Sequence, residues 1–179
     1  KGGNLIDLGY TLTGGAAVAI RHLNTTYLWD RVRVQGGAYG GSSGFDSNSG
    51  NFVFTSYRDP NLLGTITNYD GAAAYLRAGV GEQDLTRSII GVIGGIDGYR
   101  LPDAKGFSSM MFELTGETEE TRQQRREEVL GATDADFETL ARALDDVARH
   151  GKVVVLGSEP AIKAANEERS GFLTVTRVI

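Results

Sequence analysis

Apolar and polar positions along the 179-residue chain fall into segments of two different periods. Leu5 to Leu12 alternates loosely (Ile6, Leu8, Tyr10 and Leu12 against Asp7, Gly9 and Thr11) and predicts a strand. Ala16 to Val32 places Val18, Ala19, Leu23, Leu28 and Val32 near helical spacing and predicts a helix. Tyr39 to Phe45 and Asn51 to Tyr57 read as two extended segments. Gly44 and the Asp46-Ser47-Asn48-Ser49-Gly50 run supply the turn between them. In the second segment Phe52, Phe54 and Ser56 share one face and Val53, Thr55 and Tyr57 the other, so the hairpin is bulky on both sides.

Helices follow. Asp59-Pro60 reads as a helix start, an Asp oxygen for the free N–H groups and a proline pre-set for the first turn. Leu62, Ile66, Tyr69, Ala73 and Leu76 continue it at helical intervals. Glu82 to Asp97 predicts another helix, with Leu85, Ile89, Val92, Ile93 and Ile96 on its buried stripe. Gly98 to Gly106, with Pro102, reads as a loop, and Phe107 to Leu114 as a short helix closed by Gly116. Thr118 caps Glu119 to Leu130. Thr133-Asp134-Ala135-Asp136 fits a capping box ahead of Phe137, Leu140, Leu144 and Val147, in a helix that ends at Arg149-His150-Gly151. Lys152 to Gly157 is a continuous apolar run and predicts a buried strand. Ser158-Glu159-Pro160 starts a short helix, and Phe172 to Val178 reads as a last strand. Paired strands followed by a block of helices imply an α+β fold, a mixed or antiparallel sheet with helices packed on one face. No linker or 20–50-residue repeat divides the chain, which reads as a single domain, residues 1–179.

Composition removes several chemistries. There is no cysteine, hence no disulfide, thiolate metal site or cysteine nucleophile. The two histidines, His22 and His150, stand far apart and form neither a His-Glu-x-x-His nor a His-x-x-Glu-His pair. His150 reads as a dipole contact at a helix end and His22 as a partly exposed surface residue. Eighteen basic against 23 acidic side chains argue against a nucleic-acid partner. No apolar run approaches the ~20 residues of a membrane span. Gly40-Gly41-Ser42-Ser43-Gly44 has the Gly-x-Ser-x-Gly spacing, but no histidine is nearby in sequence and it does not read as a hydrolase elbow; the phosphate-loop patterns are absent. The carboxylates of Glu117 to Glu128 interleave with Arg122, Arg125 and Arg126 and read as a solvated helix face. The chain begins at Lys1, without methionine or a signal-like segment, and so reads as a processed or excerpted piece.

One constellation remains, Arg31-Val32-Arg33-Val34-Gln35-Gly36-Gly37-Ala38-Tyr39-Gly40-Gly41. Glycines clear bulk from around an arginine and a tyrosine, both able to donate to a peptide carbonyl or a developing oxyanion. The plainer reading is a glycine-rich helix-to-strand turn with a core tyrosine and a surface arginine.

The stretch Tyr27 to Gly40 resembles the signature of the last domain of presequence proteases, in the falcilysin-like branch of the pitrilysin/insulinase superfamily of zinc metallopeptidases. The likeness continues through Phe45-Asp46, Ser49-Gly50, Phe52 and Phe54, then Ser56-Tyr57-Arg58-Asp59-Pro60-Asn61-Leu62. It resumes at Ile90, Gly94, Asp97, Pro102-Asp103, Lys105-Gly106, Arg122-Gln123, Arg126 and Gly157-Ser158. It implies the fourth, C-terminal and metal-free domain of a four-domain clamshell. The resemblance places the zinc, with the base that activates its water, in a missing N-terminal half. Carried over by motif, Arg33 and Tyr39 would hydrogen-bond the bound peptide near the scissile bond, set in a loop of Gly36, Gly37 and Gly40. Substrates would be targeting presequences and other short unfolded peptides in an enclosed chamber. The compartment would be the mitochondrial matrix or plastid stroma in a eukaryote, or a bacterial cell. The piece alone is expected to bind no metal and to be inactive. Family domains begin with a strand ahead of Gly2-Gly3-Asn4, so an exposed sheet edge and self-association are also expected. The alternative is a non-catalytic pitrilysin-like subunit, or a peptide- or protein-interaction domain.

Overall fold

Asp46 organises the hairpin turn: its carboxylate accepts from the Asn48 N–H (3.0 Å) and the Ser49 hydroxyl (2.7 Å), and Gly50 closes the turn at φ 74°. In the computed structural model, which describes residues 1–177, this turn joins β2 (Gly40–Asp46) to β3 (Asn51–Tyr57). A short β1 (Gly2–Asn4) pairs with the other edge of β3, and the sheet is antiparallel throughout in the order β1-β3-β2. The period-two pattern of β3 holds. Phe52 and Phe54 are buried on the helix side, whereas Val53 and Tyr57 are exposed on the other.

The buried face of the sheet is covered by α1 (Gly14–Thr25) and α7 (Asp134–His150), with α2 (Leu62–Asp70) and α3 (Ala72–Arg77) beside α7. Val18, Ala19 and Leu23 of α1 meet Phe137, Leu140, Ala141, Leu144 and Val147 of α7 in one core with Phe52 and Phe54. The chain is thus α+β, with its helices on one side of the sheet. Then come α4 (Glu82–Ile96), α5 (Pro102–Thr115), α6 (Glu119–Leu130) and α8 (Glu159–Glu168). Among the described residues no helix is long and apolar enough to cross a membrane.

The helix ends obey local chemistry. Thr118 accepts from the Thr121 N–H (3.2 Å), and Asp136 reaches back to the Thr133 N–H (2.9 Å) to complete the capping box of α7. Gly116 ends α5 in the left-handed region at φ 70°. Glu128 of α6 accepts from the Gly14 N–H (2.7 Å), a carboxylate at the positive end of α1.

Several expectations are corrected. Leu5 to Leu12 is not a strand. Leu5–Gly9 is a turn, Tyr10 N–H bonds to the Leu5 carbonyl (2.8 Å), and Gly9 sits at φ 84°. The helix from Ala16 stops at Thr25, where the backbone leaves the helical region at Thr26 (φ −119°, ψ −82°); the Thr25 and Thr26 hydroxyls donate to the Arg21 and His22 carbonyls there (2.9 and 2.6 Å). After a short helical step the chain continues as a π-helix, Trp29–Val34. Asp59 accepts from the Asn61 N–H (2.9 Å) in a local turn, so α2 begins at Leu62 rather than at Pro60, and Gly71 separates α2 from α3. Pro102 opens α5 instead of lying in a loop, as its fixed φ suits the first turn. Ile96 lies on the exposed side of α4. His22 is 5% exposed, packed between Tyr75 and Phe137 rather than on the surface.

The apolar run Lys152 to Gly157 does not form a strand. Lys152 makes a bridge with Gly2, and beyond it Val154 and Leu156 are 88% and 86% exposed. With β1 only three residues long, the run has no further edge to pair with. Phe172 to Arg177 is irregular, and Val178, the end of the expected last strand, lies outside the described residues.

Candidate functional site at the open end of the hairpin

The site begins where a helix must become a strand across five residues, Gln35 to Tyr39. The π-helix winds wide enough for the Gln35 N–H to reach the Asp30 carbonyl, five residues back (2.8 Å). Gly36 then passes so close to this helix that a Cβ would lie 2.5 Å from the Val32 carbonyl oxygen. Gly37 turns the chain at φ 77°, its N–H on the Arg33 carbonyl (3.0 Å). Ala38 is buried beside the fully buried Val32 and donates to its carbonyl (3.1 Å). Tyr39 donates its N–H to the Tyr57 carbonyl (3.1 Å), and β2 starts at Gly40. Two buried anchors and two backbone-only positions therefore fix the direction in which Tyr39 leaves the sheet.

Tyr39 is 67% exposed, which removes the core-tyrosine reading. Its ring meets Tyr57 edge-on, with centroids 6.0 Å apart and planes at 82°. The guanidinium of Arg58 lies 5.4 Å from the Tyr57 centroid and 6.0 Å from that of Tyr39. Arg33 is exposed on the π-helix and lies over the Trp29 indole, 4.1 Å from its centroid. The two side chains singled out from the sequence thus do not rest on one another. Each sits on its own aromatic partner, and both reach solvent from elements that the Gly36–Gly37 turn joins. Gly40 has open space where a side chain would stand, so the strand next to Tyr39 is bare.

Beneath the π-helix lies an aromatic stack. Tyr27 stacks on Tyr75 (4.8 Å) and Tyr75 on His22 (5.7 Å), with Phe137 against the far side of His22 (5.6 Å). Tyr27 donates to the Asn68 carbonyl (2.8 Å), tying the segment before the π-helix to α2. Burial pushes the Tyr27 phenol up and the His22 imidazole down, so this support is uncharged. On the α2 side of the turn an open polar cleft runs between Arg31, Gly36, Asn61, Thr67 and Arg169. Arg169 donates to the Thr67 hydroxyl (3.0 Å) and so carries the end of α8 to this cleft.

Among the described residues no group of three or more His, Asp or Glu side chains is placed to hold a metal ion. The site's chemistry is that of uncharged and cationic hydrogen-bond donors around an exposed backbone. It can receive carbonyl or carboxylate oxygens, and it has no cluster for a cation.

The sequence profile of the family described as "PreP C-terminal domain" matches residues 1–159. The chain belongs to that family. It is 50% identical, over its full length, to "Presequence protease 1, chloroplastic/mitochondrial" of Arabidopsis thaliana, covering 17% of that protein. It is 34% identical, again over its full length, to "Protein HypA" of Clostridium perfringens, covering 18% of it. It is 31% identical over 75% of its length to "Presequence protease, mitochondrial" of Kluyveromyces lactis, covering 14% of that protein. The chain therefore spans less than a fifth of the length of these relatives.

Within this PreP C-terminal domain Trp29, Tyr57 and Arg58 lie against the two candidate side chains, a placement the sequence does not give for them. A signal existed for Tyr57, which the strand period sends to the face opposite the buried Phe52 and Phe54. Nothing in the sequence gives the backbone angle of Arg58, which depends on how β3 meets α2.

Proposed function

We propose that this chain is the C-terminal, metal-free part of a presequence-degrading peptidase, and that Arg33 and Tyr39 are its hydrogen-bond donors to bound peptide. The observation that carries the reading is the exposed Tyr39 phenol on a backbone held by buried Val32 and Ala38 and turned by Gly36 and Gly37. A donor aimed at a carbonyl that becomes an oxyanion works best when it is already in place, because no reorganisation is then needed during the reaction. Arg33, steadied by Trp29, adds a charged donor from the other side of the turn. The bare strand at Gly40 leaves room for peptide backbone, and the substrates are targeting presequences and other short unfolded peptides.

Among the described residues no three His, Asp or Glu side chains stand together to hold zinc, and this reading assigns the metal to the N-terminal half of a four-domain parent. Apolar surfaces support an extensive contact with that remainder. No residue of α5 is buried, and Phe107, Met110 and Leu114 stand out from it. The exposed Val154 and Leu156 border the bridge to β1. In isolation these same surfaces drive self-association. The names of the Arabidopsis and Kluyveromyces relatives read chloroplastic/mitochondrial and mitochondrial, and in this reading the compartment is the mitochondrial matrix or plastid stroma of a eukaryotic parent, or the bacterial cell.

The test is Tyr39→Phe in the full-length parent, assayed on a presequence peptide with metal content measured alongside. Turnover is expected to fall by about 10²–10³ with zinc content unchanged. Turnover near wild type removes Tyr39 from the reaction. The isolated 179-residue chain is expected to cleave nothing, and cleavage by it would overturn the division of labour.

A further inference from the structure

The corner that follows β3 contains the one non-glycine residue with a positive φ among the described residues, Arg58 at 48°. A Cβ in that region crowds the neighbouring carbonyl, and an L-residue remains there only where its surroundings impose it. They do so here. Ahead of Arg58, the Tyr57 carbonyl is held by the Tyr39 N–H (3.1 Å). After it, the Asp59 carboxylate accepts from the Asn61 N–H (2.9 Å), and the Pro60 Cγ lies alongside Gly37, 3.5 Å from where a Cβ there would stand. Glycine would satisfy this backbone at no steric cost. What arginine adds is a guanidinium laid beside both the Tyr57 and Tyr39 rings, at 5.4 and 6.0 Å.

An exposed tyrosine ordinarily moves freely among its rotamers. Tyr39 instead has both the Tyr57 ring and the Arg58 cation against it, from the last residue of the strand whose carbonyl its backbone N–H meets and from the residue that follows it. We propose that Arg58 is a positioning residue for Tyr39: its left-handed backbone aims the guanidinium at the tyrosine ring and limits where the phenol can point. The proposal rests on the reading of Tyr39 as a donor to substrate. Arg58 itself is given no contact with the reacting atoms. Displacing a catalytic group by ~1 Å can cost up to ~10² in rate, so the effect belongs in turnover rather than in binding.

The experiment is a double-mutant cycle in the full-length peptidase with a presequence peptide, using Arg58→Gly, Arg58→Lys, Tyr39→Phe and the combined Tyr39→Phe/Arg58→Gly. Arg58→Gly keeps the backbone angle and removes the cation, and Arg58→Asn, which also tolerates a positive φ, serves as a second variant if the first folds poorly. Arg58→Gly is expected to lower kcat by roughly 3- to 30-fold, the range of a cation–ring contact, with KM within about twofold. Arg58→Lys should recover part of that loss, and the combined variant should be no slower than Tyr39→Phe alone. Wild-type kcat in Arg58→Gly beside a slow Tyr39→Phe overturns the role of Arg58 and leaves that of Tyr39 standing. Wild-type kcat in Tyr39→Phe instead overturns the donor reading and, with it, this one. Losses that multiply in the combined variant, or that appear in KM alone, show Arg58 acting independently of Tyr39 and overturn the proposal.

Discussion

His22 shows how far a single side chain can depart from the reading of its neighbours in sequence. It lies on α1 between Leu23 and Arg21, yet it turns inward, 5% exposed, with Nε2 3.3 Å from the Tyr75 hydroxyl. Desolvation holds its pKa below the ordinary value of about 6.5, against a weaker upward pull from Asp84. The folded state therefore binds fewer protons than the unfolded one as pH falls through that value. Stability is complete above about 6.5 and declines as pH drops from there toward the lowered folded pKa. Urea midpoints between pH 7.5 and 5 (conditions spanning that ordinary value, ~6.5) should show this decline, and His22→Gln should flatten it. A wild-type profile that is flat over the same range would mean that the ring finds a proton acceptor when charged. At this scale the sequence marked Arg33, Tyr39, Gly36 and Gly37 through their grouping. It does not give the positive φ of Arg58, which the residues around it set.

Among the elements, helices were more legible than strands. The capping box at Thr133–Asp136, the Thr118 cap and the stop at Gly116 are local chemistry, complete within a few residues, and all three are present. Leu5 to Leu12 and Lys152 to Gly157 carry strand-like patterns but became a turn and an irregular run that leaves Val154 and Leu156 exposed. A strand exists only against a partner, and a pattern says nothing about whether one is in reach. Helical period has a similar blind spot, because it gives the apolar face but not its cover. Leu140 on α7 is fully buried, and Leu114 on α5 is 73% exposed. Leu140→Ala should therefore cost about 2–5 kcal/mol in urea denaturation of the isolated chain, and Leu114→Ser should stay within about 0.5 kcal/mol. A comparable loss from both would mean that α5 is packed in solution.

For the molecule as a whole, the sheet divides two kinds of surface. One face is closed by α1 and α7, while the other leaves Val53 and Tyr57 uncovered, and Val154 and Leu156 extend past the end of β1. A sheet edge with unpaired backbone beside apolar side chains recruits another chain. Light scattering of the isolated chain should show concentration-dependent association, reduced by combining Val154→Lys with Leu156→Lys. A monodisperse monomer at high concentration would place the sticky surface elsewhere or nowhere. What the sequence alone determined was the hairpin, the helix caps, the α+β class and the grouping of a glycine turn with an arginine and a tyrosine. Each of these depends on residues a few positions apart, whose interactions exist before the chain is folded. Only the tertiary structure decided that Tyr39 faces solvent, that Arg58 reaches the Tyr39 ring across the strand pair, and that α5 has no cover. Those outcomes require segments distant along the chain to meet, and no local pattern records which of them will.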